Sequence, residues 1–177
     1  MQCPACSHFR LKPVKLEAGL PALSCSKCQG SLVPLVTYRA WAEMQSPEEA
    51  ASTEAQPVED TRSALRCPKC SKLMMKYRIG HQTDNRVDLC AHCDEAWLDA
   101  GEWQLLRHLK CHTSLASIMT EPWQRRLREH EREEVIERKY LSALGEDDWQ
   151  RLQSLAEWVH SHPKRQDLLR YLLRDGR

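Results

Sequence analysis

The chain has 177 residues, 41% hydrophobic and 29% charged, with 26 Lys and Arg against 25 Asp and Glu and a formal charge of +1. No run approaches the roughly 18 apolar residues of a membrane-spanning helix, and Cys3 and Cys6 stand where a leader would begin, so a reduced cytoplasmic setting is expected. A net charge this close to zero makes no strong case for whole-chain attraction to nucleic acid.

Eight of the nine cysteines form C-x2-C pairs, and the first unit, residues 1–45, carries Cys3/Cys6 and Cys25/Cys28. The stretch between these pairs, from Ser7 to Ser24, has the length expected between the knuckles of a four-cysteine zinc site. Two such knuckles aim four soft sulfurs at one point, a tetrahedral set that selects zinc or iron; disulfides are the other use of the same residues. Between the knuckles, residues 11–16 and 22–24 read as two strands joined by a turn at Gly19-Leu20-Pro21. Leu32-Val33-Pro34-Leu35 follows as a short strand, and Tyr38 and Trp41 as one face of a helix for which Thr37 is the candidate cap.

Residues 46–61 hold five acids, two prolines and no Lys or Arg, the composition of a flexible acidic linker. The second unit, residues 62–113, then repeats the first. Cys67/Cys70 answers Cys3/Cys6 and Cys90/Cys93 answers Cys25/Cys28, with a single extra residue in the stretch from Ser71 to Leu89. Residues 73–79 and 87–89 read as the hairpin strands, with Thr83-Asp84-Asn85 as the turn. Asp99 followed by Glu102 is a capping-box spacing that starts a helix running to about Lys110. Trp97 and Leu98 precede that cap and cover the metal-bearing hairpin, while Trp103 and Leu106 pack from the helix. Each unit is small enough that a metal must supplement its core.

The string CPKC from Cys67, with LCAHCDEAWLDAGEWQLL to Leu106, closely resembles the bacterial transcription-factor-IIB-like zinc-ribbon family. Its members carry CPxC, a hairpin, CxxCGGxWLDxGEL and a short helix. The resemblance spans about 40 residues and implies that Cys67, Cys70, Cys90 and Cys93 are zinc ligands, with Trp97, Leu98, Asp99, Gly101 and Glu102 on signature positions. Asp94 and Glu95 replace the usual Gly-Gly, which implies a more constrained, more acidic knuckle. The first unit keeps Gly30 but lacks the WLDxGE string, as a diverged copy.

Residues 114–177 contain no cysteine and read as helical. Thr120-Glu121-Pro122 starts a long helix with a charged middle that Gly145 stops. Asp147 with Gln150 caps a second helix carrying Trp149, Leu152, Leu155, Ala156 and Val159 at helical spacing. Pro163 ends it, and a third helix with Leu168, Leu169, Leu172 and Leu173 completes a hairpin over residues 146–175.

The fold expected is a small zinc-stabilised α+β one: two four-cysteine ribbons, each a hairpin plus strand and helix, followed by an all-α segment. The expected cofactor is zinc, two per chain, on Cys3, Cys6, Cys25, Cys28, Cys67, Cys70, Cys90 and Cys93. A site with four protein thiolates leaves no position for water, and no catalytic constellation is visible, so a non-catalytic module is expected. Its favoured partner is another protein, in a transcription, replication or repair assembly. A nucleic-acid regulator working through Lys69, Lys72, Lys76, Arg78 and Arg86 is the first alternative. A thiol-based redox or zinc-release switch is the second. Cys111 with His108 and His112 forms H-x2-C-H, open to a third metal, a reactive thiol or a packing role, and His92 lies between two ligands of the last knuckle.

Overall fold

In the computed structural model, residues 1–45, 61, 63–81 and 83–174 are described. The expected linker, residues 46–61, lies outside them except for Thr61. Each ribbon is a hairpin with a third strand laid along its returning arm. In the first, β1 (Leu11–Glu17) pairs antiparallel with β2 (Leu20–Cys25), from Leu11 opposite Cys25, and β3 (Ser31–Pro34) joins β2. Gly19, at φ +80°, makes the turn at a backbone conformation that costs a residue with a Cβ. In the second, β4 (Met75–Gly80), β5 (Thr83–Cys90) and β6 (Glu95–Leu98) repeat the arrangement. Thr83, Asp84 and Asn85 are the first residues of β5 rather than the turn, and Thr83 Oγ1 accepts the Asn85 N–H at 3.2 Å.

The two ribbons share one six-stranded sheet, ordered β1-β2-β3-β6-β5-β4. At the seam β3 and β6 run antiparallel with Leu32 opposite Trp97, Ser31 opposite Leu98 and Val33 opposite Ala96. Leu32 stands as far beyond Cys25 as Trp97 stands beyond Cys90, so the central pair of the seam joins one repeat position to its own counterpart. A local pseudo-twofold axis therefore passes through the Leu32–Trp97 pair. Both ribbons, with the chain up to Arg128, form one compact unit, Met1–Arg128.

Alternation along the seam strands sends side chains to two faces, and both are covered. Val33, Ala96 and Leu98 join Leu20, Ile79 and Val87 in a core that receives Tyr38 and Trp41 from α1 (Leu35–Glu43) and Trp103 and Leu106 from α2 (Glu102–His108). Trp41 meets Trp103 edge-on with centroids 5.6 Å apart. The Tyr38 hydroxyl donates to the His112 carbonyl and accepts the Leu115 N–H, both at 2.8 Å. On the opposite face Leu32 and Trp97 lie among Cys3, Cys25, Cys67 and Cys90. This two-sided burial explains why β6 is buried at all four positions.

The helix starts differ from the capping signals. Thr37 sits inside the first turn of α1, its hydroxyl donating to the Pro34 carbonyl at 2.9 Å, and Pro34 takes the cap position. Glu102 does reach back to the Asp99 N–H at 2.8 Å, the glutamate half of a capping box. The Asp99 carboxylate caps nothing: it accepts the Trp97 indole N–H at 2.9 Å and the Thr61 N–H at 2.7 Å, and Gly101 precedes the helix at φ +81°. At the other end of α2 the Lys110 N–H returns to the Arg107 carbonyl and the Cys111 N–H to the Leu106 carbonyl, with Lys110 at φ +55°. That is a Schellman motif.

A short α3 (Leu115–Ile118) leads to α4 (Glu121–Leu144), which starts after Thr120 and stops before Gly145 as expected. The second compact unit, Glu129–Arg177, holds the end of α4, α5 (Glu146–Ser161) and α6 (Arg165–Arg174). α5 begins one residue before Asp147, and Gln150 donates to the Glu146 carboxylate at 2.8 Å rather than capping the helix. Tyr140 of α4 stacks on Trp149 of α5 at 5.9 Å and 3°.

Candidate metal centres

All eight predicted ligands fall into two tetrads, Cys3/Cys6/Cys25/Cys28 and Cys67/Cys70/Cys90/Cys93, with the ligand atoms of each within 4.8 Å of one another. The backbone builds the knuckles. After the second cysteine of each pair the chain turns through the left-handed region, at Ser7 (φ 58°), Gln29 (59°), Ser71 (61°) and Asp94 (56°). The N–H groups of Ser7, Gln29 and Ser71 return to the carbonyls of Cys3, Cys25 and Cys67 at 2.8 to 2.9 Å. The Cys6 N–H points at the Cys3 sulfur at 3.3 Å. In each tetrad the first cysteine of each knuckle is buried and the second half-buried, so both centres sit at the surface with their inner sulfurs against the Leu32–Trp97 core.

Sulfur separations decide between metal and disulfide. Cys3 and Cys28 are 3.5 Å apart and Cys70 and Cys90 3.6 Å apart, and all nine cysteines are free. A disulfide needs about 2.05 Å. A tetrahedron with metal–sulfur bonds of about 2.3 Å has edges of about 3.8 Å. The tetrads therefore have the size and donor chemistry of a four-thiolate metal site.

Electrostatics within each tetrad also call for a cation. Burial pushes the thiols of Cys3 and Cys28 up, and that of Cys67 as well. Burial also opposes ionisation of Cys25, but N–H groups of Cys28 and Lys27 outweigh it and bring Cys25 down to about 7. The Lys72 N–H does the same for Cys70, also to about 7, while the thiol hydrogen bond with Cys70 drives Cys93 up to about 12. Each site thus has one thiol brought down, Cys25 or Cys70, beside others pushed up. A divalent ion would offset the negative charge of thiolates gathered this closely.

Around the second tetrad, three of the five predicted basic residues, Lys69, Lys76 and Arg78, lie against acids. Lys69 pairs with the buried Glu95, and Lys76 with the buried Asp88 at 2.9 Å. Arg78 lies 3.8 Å from Asp84, and Lys72 lies 3.2 Å from His92 Nδ1. Arg86 stands opposite Arg78 across the β4–β5 ladder. His92 is near Lys72 rather than in the sulfur cluster. Asp94 forms a bidentate pair with Arg39 of the first ribbon at 2.6 and 2.8 Å, which holds its carboxyl below the usual range.

Cys111 takes no part in a metal group among the described residues, nor do His108 and His112. It is the residue after the Schellman turn, 8% exposed in the apolar core with Leu106, and burial pushes its thiol up to about 11. Both features describe a packing cysteine. A partner that sequence reasoning missed is Gly30: a Cβ there would lie 2.3 Å from Trp97 Cζ2, so the glycine of one ribbon seats the tryptophan of the other. The signal was present as a lone glycine immediately before β3.

No protein-family model, curated protein or solved structure matches this chain. No helix among the described residues is long and apolar enough to cross a membrane.

Proposed function

We propose that the chain is a non-catalytic double zinc ribbon that carries a helical protein-binding segment into a transcription, replication or repair assembly. Two zinc ions, each on four thiolates, are the cofactors in this reading, because cysteine-only donor sets at tetrahedral spacing suit zinc and leave no site for substrate water. The observation that carries it is an imbalance of apolar exposure. Within Glu129–Arg177, Val135, Ile136, Leu144, Leu155, Trp158, Leu172 and others are more than a third exposed, and Val159 is the sole buried apolar side chain among the described residues of that unit. Scattered apolar side chains on a surface are ordinary, but a concentration in one small unit marks an interaction surface.

The α4 portion offers one such surface: Val135 and Ile136 are 57% and 51% exposed, amid Glu133, Glu134 and Glu137. Crosslinking and capture with the zinc-loaded full chain, against Val135→Glu/Ile136→Glu, tests the reading. Loss of a specific partner with both zinc ions retained supports it. Binding to duplex or single-stranded nucleic acid that is steeply salt-dependent, and that Lys72→Gln/Lys76→Gln/Arg78→Gln weakens, would instead favour the nucleic-acid alternative.

A further inference from the structure

The first ribbon carries a set of cations with no acid beside them. Residues 1–42 hold five bases and one acid, Glu17. Glu17 is taken by Arg107 at 3.0 Å and by the Trp103 indole N–H at 3.1 Å, and Arg39 is taken by Asp94. Arg10, Lys12, Lys15 and Lys27 remain: all are exposed, and none has an acidic partner among the described residues. The second ribbon differs, since Lys69, Lys76 and Arg78 lie against carboxylates. Counting a four-thiolate Zn(II) centre at about −2, residues 1–42 still stand at about +2.

An aromatic ring lies within this patch. Continuing the β1–β2 register beyond Leu11–Cys25 sets Phe9 beside Lys27, whose ammonium lies 5.2 Å from the ring centroid, and Phe9 is 38% exposed. β1 is an outer strand of the sheet, and alternation sends Lys12 to one side of it and Lys15 to the other. A partner strand cannot extend that edge. Met1 to Cys3 cover it as far as Leu11, whose N–H meets the Met1 carbonyl at 3.0 Å, and the next outward position is Pro13, which has no N–H. An occupant must therefore be held by side chains. Cations spaced along an extended strand suit a phosphate backbone, and an exposed ring suits a base that is not already paired and stacked. An anionic bilayer calls instead for a continuous apolar face, whereas Phe9 stands between His8 and Arg10.

We propose that the first knuckle and edge strand of the first ribbon bind single-stranded nucleic acid, with Phe9 stacking on a base and Arg10, Lys12, Lys15 and Lys27 contacting phosphates. None of these residues belongs to the Val135–Ile136 surface or to the basic set of the second ribbon.

Fluorescence anisotropy of the zinc-loaded full chain with labelled DNA and RNA oligonucleotides of about 12 nucleotides, single-stranded and duplex, is the test. A single strand should bind with a Kd of about 10 μM or below at ~50 mM salt, and log K should fall against log salt with a slope of about −3, the value for four phosphate contacts. Lys12→Gln/Lys15→Gln should reduce that slope by about 1.4. Phe9→Ala should weaken binding about tenfold with the slope unchanged, and Phe9→Trp should retain it. Zinc content should match wild type in each variant; if Phe9→Ala sheds metal, the lysine variant decides. Lys72→Gln/Lys76→Gln/Arg78→Gln should leave the affinity as it is. No saturable binding to either single strand, equal or tighter binding to the duplex, or a loss that follows the second-ribbon variant rather than the first overturns the proposal. So does tighter binding to phosphatidylserine vesicles than to the oligonucleotide. A Val135→Glu/Ile136→Glu chain that loses its protein partner yet binds the strand like wild type supports this site and the adaptor role together, whereas a chain that binds the strand and captures no protein supports this site and sinks the adaptor role alone.

Discussion

Replacing Gly30 by alanine isolates the contact that joins the two ribbons. The added methyl would lie 2.3 Å from Trp97 Cζ2, 2.9 Å from Cε2 and 3.0 Å from Cη2. Relief to ordinary contact requires the ring to move by about 1 Å or more. Trp97 has nowhere to go: it is fully buried among four cysteines of both tetrads, and its indole N–H is held by Asp99 at 2.9 Å. Overpacking of this kind costs about 1–3 kcal/mol, and weakening the indole hydrogen bond adds about 1 kcal/mol, so Gly30→Ala should destabilise the first unit by about 2–4 kcal/mol. Gly30 is absent from the positive-φ glycines, so alanine adds no left-handed backbone strain and the cost is steric. Denaturant unfolding of the zinc-loaded chain measures it, and Trp97→Phe supplies the control. Phenylalanine trims the clashing part of the ring, so the double variant should be less destabilised than the sum of the singles by about 1 kcal/mol or more. Additive effects, or a Gly30→Ala change within about 0.5 kcal/mol of wild type, would refute a Gly30–Trp97 lock.

Elemental analysis of Cys70→Ser should show at most one zinc per chain in place of two, with the remaining ion on the first tetrad released at a lower chelator concentration than in wild type, because metal binding and folding are coupled and the two ribbons share one sheet. Asp99→Ala should cost about 2 kcal/mol by orphaning the buried Trp97 indole N–H, whereas Asp99→Asn, which keeps an acceptor, should cost about half as much; equal losses would point to a cap or a charge instead. Gln29→Gly and Asp94→Gly both relieve a left-handed residue after a knuckle, at φ 59° and 56°. In thermal melts Gln29→Gly should gain up to about 1 kcal/mol, while Asp94→Gly should gain less because it also removes the half-exposed pair with Arg39.

Cysteine spacing made the two thiol tetrads legible, since a C-x2-C pair constrains both backbone turn and sulfur position within four residues. Helix α4 was legible for a similarly local reason: Thr120 and Gly145 mark its ends whatever it packs against. The Asp99 capping box was half legible. Glu102 behaves as the spacing implies, but the Asp99 side chain has a competing donor two residues back, and a buried indole N–H without an acceptor is the more costly loss. Thr83-Asp84-Asn85 has turn composition yet starts β5: Thr83 pairs with Gly80, and Asp84 and Asn85 fall in the register shift before the Arg86–Arg78 pair.

The seam between the ribbons was the largest feature hidden from sequence, although its signature was there. A ribbon's third strand that faced solvent on one side would alternate apolar and polar residues; Leu32-Val33 and Ala96-Trp97-Leu98 do not. Two short strands, each apolar on both faces and standing at equivalent places in a repeat, leave two open edges that satisfy each other by pairing antiparallel. Once they pair, the two metal centres share one apolar floor, made of Leu32 and Trp97. An ion lost from either tetrad would then loosen a wall of the other, so the pseudo-twofold axis would turn two small, marginal ribbons into one cooperative unit.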